Sequence, residues 1–311
     1  MWSMVCVRAD SSVKTLDLSS PSELGRPAIA KVPVSPLIRI RMKLAHGISE
    51  MRPVPKTERI RHLLVKWLSI KHDSAPPGVI PFVVVATQRS GSSLLMDLLA
   101  SRWASIRGDG EIFNPHVRRG RSVGEILGAT YFSDSGHRCV GSKIIRRQVS
   151  DDELKTVLAI PGLRVIVLQR ENVVRQFVSL KIARKDNIWR QPARYPRSDV
   201  MIRAVVISVD ELLAYESRQR QAYESLEGLL LSTPCLHTTY EELMENRDLE
   251  IERIGDFLGV GKPDRSTSPR LRHQNPEPLF ELIGNFDQLR SELSDLGRED
   301  LASQLGTRGE N

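Results

Sequence analysis

Val83-Val84-Val85-Ala86-Thr87-Gln88-Arg89-Ser90-Gly91-Ser92-Ser93-Leu94-Leu95 decides the fold. The β-branched apolar run predicts a buried strand over Phe82–Ala86, and the small residues at 90–93 predict a tight turn. Leu94, Leu95, Leu98 and Leu99 then recur at the spacing of one helix face. A strand feeding a helix through such a turn leaves the helix N-terminus open. Its unpaired N–H groups and positive end bind phosphate or sulfate. Small residues at Ser90, Gly91, Ser92 and Ser93 let an anion approach the backbone, Arg89 adds a fixed cation, and the serine hydroxyls add donors. An ATP-binding P-loop, G-x-x-x-x-G-K-[ST], is disfavoured because Ala86 and Ser92 stand where its first glycine and its lysine belong.

Outward from this stretch, short apolar runs alternate with longer amphipathic ones, which predicts an α/β fold with a central parallel sheet flanked by helices. Strands are expected at Arg138–Ile145, Leu163–Leu168 and Cys235–Thr239. Helices are expected from Asn172 to Lys185, from Ser198 to about Leu226, and at Leu249–Leu258. Ser150-Asp-Asp-Glu153 is a capping box that opens another helix. Residues 1–58 hold six of the 18 prolines and no sustained periodicity, so they are expected to form a flexible basic arm. A domain over 59–300 and a tail over 301–311 complete the layout. Helical spacing recurs within Glu58–Ile70. Leu37–Ile48 is a basic amphipathic piece that either docks on the body or makes a weak peripheral contact with a membrane surface.

The formal net charge of +7 does not point to nucleic acid. Residues 1–60 carry 10 Lys and Arg against 5 Asp and Glu, which leaves 35 against 33 in the rest of the chain. The basic residues of the body cluster locally, nine against three acids over 170–203. That suits a compact anion better than a duplex, which needs an extended basic stripe. Three scattered cysteines make neither a metal cage nor a disulfide framework and point to a reducing, cytoplasmic setting. No apolar run reaches the roughly 20 residues that cross a bilayer, and no basic patch followed by an apolar core opens the chain.

The spelling Thr87-Gln-Arg-Ser-Gly-Ser-Ser-Leu-Leu95 resembles the phosphosulfate loop of the PAPS-dependent sulfotransferases, in particular the bacterial trehalose-sulfotransferase-like and nodulation-type carbohydrate branch. The cytosolic branch carries lysine at the position of Arg89. A second match is Leu168-Gln-Arg170-Glu-Asn-Val-Val-Arg-Gln-Phe-Val-Ser179, with Trp189 beyond it. A third is Arg272-His-Gln-Asn-Pro-Glu-Pro-Leu, similar to the segment that covers the nucleotide in bacterial members, and Tyr240-Glu-Glu-Leu243 is also typical. The resemblance spans about 80–295. It implies a P-loop-type sulfotransferase fold and transfer of a sulfuryl group from PAPS to a hydroxyl of a small-molecule or glycolipid acceptor, leaving 3′,5′-ADP and needing no metal. It also implies that Arg170, Ser179 and Arg272 hold the donor with the loop, and that Arg89 stabilises the leaving oxygen. The spacing Arg170 to Ser179 is one residue longer than in the cytosolic branch.

The acceptor hydroxyl needs a general base. Glu111, in Gly108-Asp-Gly-Glu-Ile-Phe-Asn-Pro115, matches a glutamate that acts as base in the trehalose-sulfotransferase-like branch. It is expected on a glycine-rich turn, where desolvation raises its pKa and nearby arginines lower it. Asp109 and His116 are the rivals. Lys143, in Val140-Gly-Ser-Lys-Ile-Ile145, either reaches the acceptor or sulfate or snorkels to solvent. Trp189 either stacks on a sugar, packs in the core or plugs a helix end. Two other functions stay open: a nucleotide-dependent phosphotransferase, and a non-catalytic protein that kept the anion site.

Overall fold

A computed structural model of the chain describes residues 75–132, 136–189, 204–265, 271 and 274–307. The arm expected over 1–58, the segment Leu37–Ile48 and the helical spacing within Glu58–Ile70 lie outside the described residues. Five parallel strands form one sheet in the order β2-β3-β1-β4-β5: β1 (Ile80–Ala86), β2 (Ile106–Glu111), β3 (Cys139–Ile145), β4 (Arg164–Gln169) and β5 (Cys235–Thr239). The central strand β1 is covered on both faces, which explains its unbroken apolar run. Val83 and Val85 pack with Val140, Leu154 and Val165 on one side, and Phe82, Val84 and Ala86 pack with Leu95, Leu98 and Ile254 on the other.

The helices are α1 (Ser92–Arg102), α2 (Pro115–Arg118), α3 (Val123–Tyr131), α4 (Asp151–Leu158), α5 (Val173–Asp186), α6 (Val209–Leu230), α7 (Tyr240–Glu245), α8 (Arg247–Phe257), α9 (Leu279–Leu282), α10 (Phe286–Asp295) and α11 (Glu299–Gln304). The Ser150/Glu153 capping box opens α4 as expected. A third apolar cluster joins Val174, Phe177 and Val178 of α5 to Leu212 and Tyr215 of α6 and to Phe286, Leu289, Leu301 and Leu305 near the C-terminus.

Three expectations are corrected. Glu111 was expected on a glycine-rich turn, but it ends Ile106–Glu111, which pairs with β3 as an edge strand, with a register shift between Gly108 and Glu111. The free edge of β3 offers backbone partners that outweigh the two glycines. Helix α6 starts at Val209, not Ser198, and Val205 instead bridges Ile283. The tail expected from 301 belongs to the body, because α11 runs through that boundary and buries Leu301, Ala302 and Leu305. Among the described residues no helix is long and apolar enough to cross a membrane.

Candidate active site

The site lies at the C-terminal edge of β1, β3 and β4, where open parallel sheets receive ligands. Gly91 caps α1 with φ 92°, a left-handed conformation that costs glycine little. A Cβ there would stand 2.4 Å from Cδ2 of Tyr240, so the loop and the start of α7 are in close contact. No side chain caps α1 and no acid stands in its first turn. Among the described helices of eight or more residues, α1 alone lacks both. Helices α3, α4 and α5 have side-chain caps, while α6, α8, α10 carry acids in the first turn. The Ser90 hydroxyl, expected to serve the anion, is buried and donates to the Thr87 carbonyl at 2.9 Å. Ser92 is also buried, and Ser93 accepts a 2.6 Å hydrogen bond from Lys143 Nζ.

Arg89, Arg170 and Ser179 come together. Nε and Nη2 of Arg89 donate to Ser179 Oγ at 3.0 and 2.9 Å, Nη1 donates to the Trp189 carbonyl at 2.9 Å, and Nη2 also donates to Gln274 Oε1. Burial, then the neighbouring Arg170, pull the Arg89 pKa down to about 10, so it stays a cation at neutral pH. Arg170 is 6% exposed, donates to the Arg89 carbonyl at 3.1 Å, and lies over the Tyr240 ring at 4.4 Å. Its nearest acid is Glu241 at 3.9 Å from Nε, an atom that has no hydrogen-bond partner and is buried. Arg272 lies outside the described residues. Its neighbour segment is held by Arg175, which donates to the carbonyls of Asn275 and Glu277 at 2.9 Å each.

Glu111 ends β2 beside Lys143 of β3, its register partner. Oε1 pairs with Lys143 Nζ at 2.9 Å, and Oε2 accepts from Gln148 Nε2 at 2.8 Å and Asn114 Nδ2 at 3.1 Å. Burial alone would raise this carboxyl's pKa, but the Lys143 charge and the three hydrogen bonds outweigh it and hold the value at about 2. The expected counterweight of arginines is thus corrected to a lysine and two amides. Lys143 does not snorkel; its side chain is 3% exposed. Of the rivals, Asp109 is paired with Arg107 at 3.5 Å, and His116 is exposed on α2. Trp189 is 44% exposed, and its indole N–H donates to Asn187 Oδ1. Its backbone, not its ring, holds Arg89.

Several residues were not singled out from sequence. Gln176, buried on α5, donates to Thr87 Oγ1 at 2.9 Å and the Gln88 carbonyl at 2.7 Å. Tyr223 of α6 donates to the Leu168 carbonyl at 2.9 Å and accepts from the Thr87 N–H at 3.3 Å. These contacts anchor the loop from behind. A polar residue on the apolar face of α5 was the available signal for Gln176; Gln148, in a run of polar residues, offered none.

No family model matches the chain. Nodulation protein H of Rhizobium meliloti strain 1021 is 25% identical over 241 residues, which are 70% of this chain and 92% of that protein. A second Rhizobium meliloti sequence of that name is 26% identical over the same length. Among solved structures, a sulfotransferase from Alicyclobacillus acidocaldarius aligns with 17% identity, covering 74% of this chain and 94% of its own, at a TM-score of 0.44. The sulfotransferase domain from the curacin biosynthetic pathway aligns with 15% identity over 71% and 99% of the two chains, at a TM-score of 0.42. Over 70% of its length the chain is thus similar to nodulation protein H, in keeping with the nodulation-type resemblance expected from its sequence.

Proposed function

We propose that the protein is a cytoplasmic sulfotransferase that takes a sulfuryl group from PAPS, passes it to a hydroxyl of a carbohydrate or glycolipid, and releases 3′,5′-ADP. The observation that carries this is the uncapped, acid-free start of α1 at the end of the central strand, beside Arg89, Arg170, Ser179 and Lys143. The residues fit such a donor. The open N–H groups of the first turn suit its 5′-phosphosulfate, and Arg170 with an orphaned buried Nε, together with Ser179, suits a 3′-phosphate.

The donor supplies an electrophilic sulfur and a phosphate that leaves with the electron pair of the broken sulfur–oxygen bond. The chain's own groups orient, neutralise charge and move one proton. Arg89 acts electrostatically, since guanidinium keeps its proton near neutral pH. Glu111 Oε1 takes the hydroxyl proton as the new oxygen–sulfur bond forms. The loop has no P-loop lysine, and the ammonium that meets it at Ser93 comes from β3 instead, which weighs against a nucleoside triphosphate.

The test is calorimetric titration with 3′,5′-ADP and 5′-AMP, followed by labelled PAPS with a panel of glycans, glycolipids and phenols. A charged contact to the 3′-phosphate is worth roughly 1.5–3 kcal/mol, so 3′,5′-ADP should bind about 10- to 150-fold more tightly. Equal affinity for the two removes the donor assignment. Tight binding with no sulfated product would leave a non-catalytic binder.

A further inference from the structure

Lys143 touches both halves of the site. Its Nζ lies 2.6 Å from Ser93 Oγ, in the first turn of α1 where the anion is received, and 2.9 Å from Glu111 Oε1. Its strand runs between the central strand and the edge strand, and its side chain is 3% exposed, so the ammonium has little room beyond these neighbours. Asn114 and Gln148 grip only the other carboxylate oxygen, Oε2. Oε1 is therefore the oxygen that faces Lys143 and the loop. In this arrangement the carboxylate is tied to a cation and is a poor acceptor of a proton.

We propose that Lys143 makes the base conditional on the donor: an anion seated on the 89–93 loop draws Nζ away from Glu111 Oε1, and the freed oxygen then accepts the acceptor's proton. This rests on the sulfotransferase reading above. A seated phosphate presents several charged oxygens beside Ser93, where Nζ already reaches, so the ammonium's attraction is divided between it and the carboxylate. The amides of Asn114 and Gln148 hold Oε2, which keeps the carboxylate from following the lysine. The other charged groups around Glu111 do not take over from Lys143. Arg147, in the turn after β3, feels Glu111 but also Arg184 of α5, and both are exposed. Arg107 and Asp109, on β2 itself, pair with each other. The consequence is an order of events: without donor the base stays neutralised, and with donor its proton affinity returns toward that of an ordinary carboxylate.

Calorimetry of 3′,5′-ADP binding to the full chain at pH 5, in two buffers of different ionisation enthalpy, counts the protons taken up. If Glu111 moves from about 2 to an ordinary carboxylate value, wild type takes up roughly 0.2 proton more than Glu111→Gln at pH 5 and no more at pH 7. Lys143→Met should lose that excess, because its carboxylate has no lysine to be released from. Should Lys143→Met fail to fold, the comparison of wild type with Glu111→Gln still decides. Binding with equal proton uptake in those two, or an excess that survives in Lys143→Met, overturns the coupling and leaves the donor assignment standing. If 3′,5′-ADP does not bind at all, the donor assignment fails and the coupling fails with it.

Discussion

Arg89 and Ser179, 90 residues apart in the chain, meet at the sheet edge through two hydrogen bonds from one guanidinium to one hydroxyl, at 3.0 and 2.9 Å. The contact joins the loop after β1 to the helix after β4, so the residues assigned to the two ends of a bisphosphorylated donor form one cluster. Arg170 completes it by donating to the Arg89 carbonyl, and Arg89 itself holds the left-handed φ of 64°. Such a conformation is uncommon away from glycine and costs of order 1–3 kcal/mol, which the surrounding contacts must sustain. Two buried cations side by side, with one acid loosely placed beside Arg170, form a site complementary to an anion.

Arg89→Ala should therefore lower turnover by about 10²–10³-fold, in line with removal of one charge-stabilising donor. Its melting temperature should stay near that of wild type, because the lost hydrogen bonds are offset by relief of the repulsion with Arg170. Arg89→Lys keeps the charge but loses the fork that reaches Ser179 and the Trp189 carbonyl, so it should retain an intermediate rate. Steady-state kinetics with PAPS and thermal melts check both. Wild-type turnover in Arg89→Ala removes the residue from the site.

Gly91→Ala meets two obstacles that can be separated. The φ of 92° disfavours any side chain, and the added Cβ would stand 2.4 Å from the Tyr240 ring. Together they should cost about 2–4 kcal/mol in urea unfolding. In a Tyr240→Leu background the clash is relieved while the backbone term persists, so the cost of Gly91→Ala should fall without vanishing. Additive costs would mean that Tyr240 does not constrain the loop.

The parts of the fold set by local pattern were legible in the sequence. The valine run, the small-residue turn and the leucine face specified β1, the loop and α1, and Ser150 with Glu153 specified the start of α4. What escaped depends on partners distant in the chain. Ile106–Glu111 carries two glycines and no alternation, and it is a strand because β3 has a free edge beside it. Lys143 could not be told from a snorkelling lysine until Ser93 and Glu111 were seen on either side of it. The hydroxyl of Ser90 turned inward, because the Thr87 carbonyl needed a donor that the chain spacing alone did not reveal.

Acid should expose the Glu111 contacts. Its folded-state pKa, about 2, lies below the ordinary carboxylate value near 4.3, so the ionised form is favoured by folding. The resulting stability is fully present above about pH 5 and is lost as the pH falls through 4 toward 2. Urea midpoints of wild type should thus fall more steeply than those of Glu111→Gln over that interval. Parallel curves would mean that the Lys143 pair contributes nothing to folding.

The role of Glu111 in turnover has its own signature. Glu111→Gln is nearly isosteric, and its amide cannot accept the hydroxyl proton, so kcat should fall by about 10²–10⁴-fold. Glu111→Gln should still bind 3′,5′-ADP, and at neutral pH more tightly than wild type, since the anion no longer competes with a carboxylate for Lys143. In wild type, kcat/KM reports the free enzyme, where Glu111 titrates near 2, so it should show no Glu111 limb above about pH 4. The kcat profile reports the loaded enzyme, where release from Lys143 moves the acid limb upward. Lys143→Met should bring the two profiles together. His116→Gln serves as the matched control: its ring is exposed on α2, and its loss should leave both profiles nearly unchanged. If His116→Gln were inactive while Glu111→Gln turned over normally, the proton would go to the imidazole, and the contacts that hold Glu111 would be structural ones.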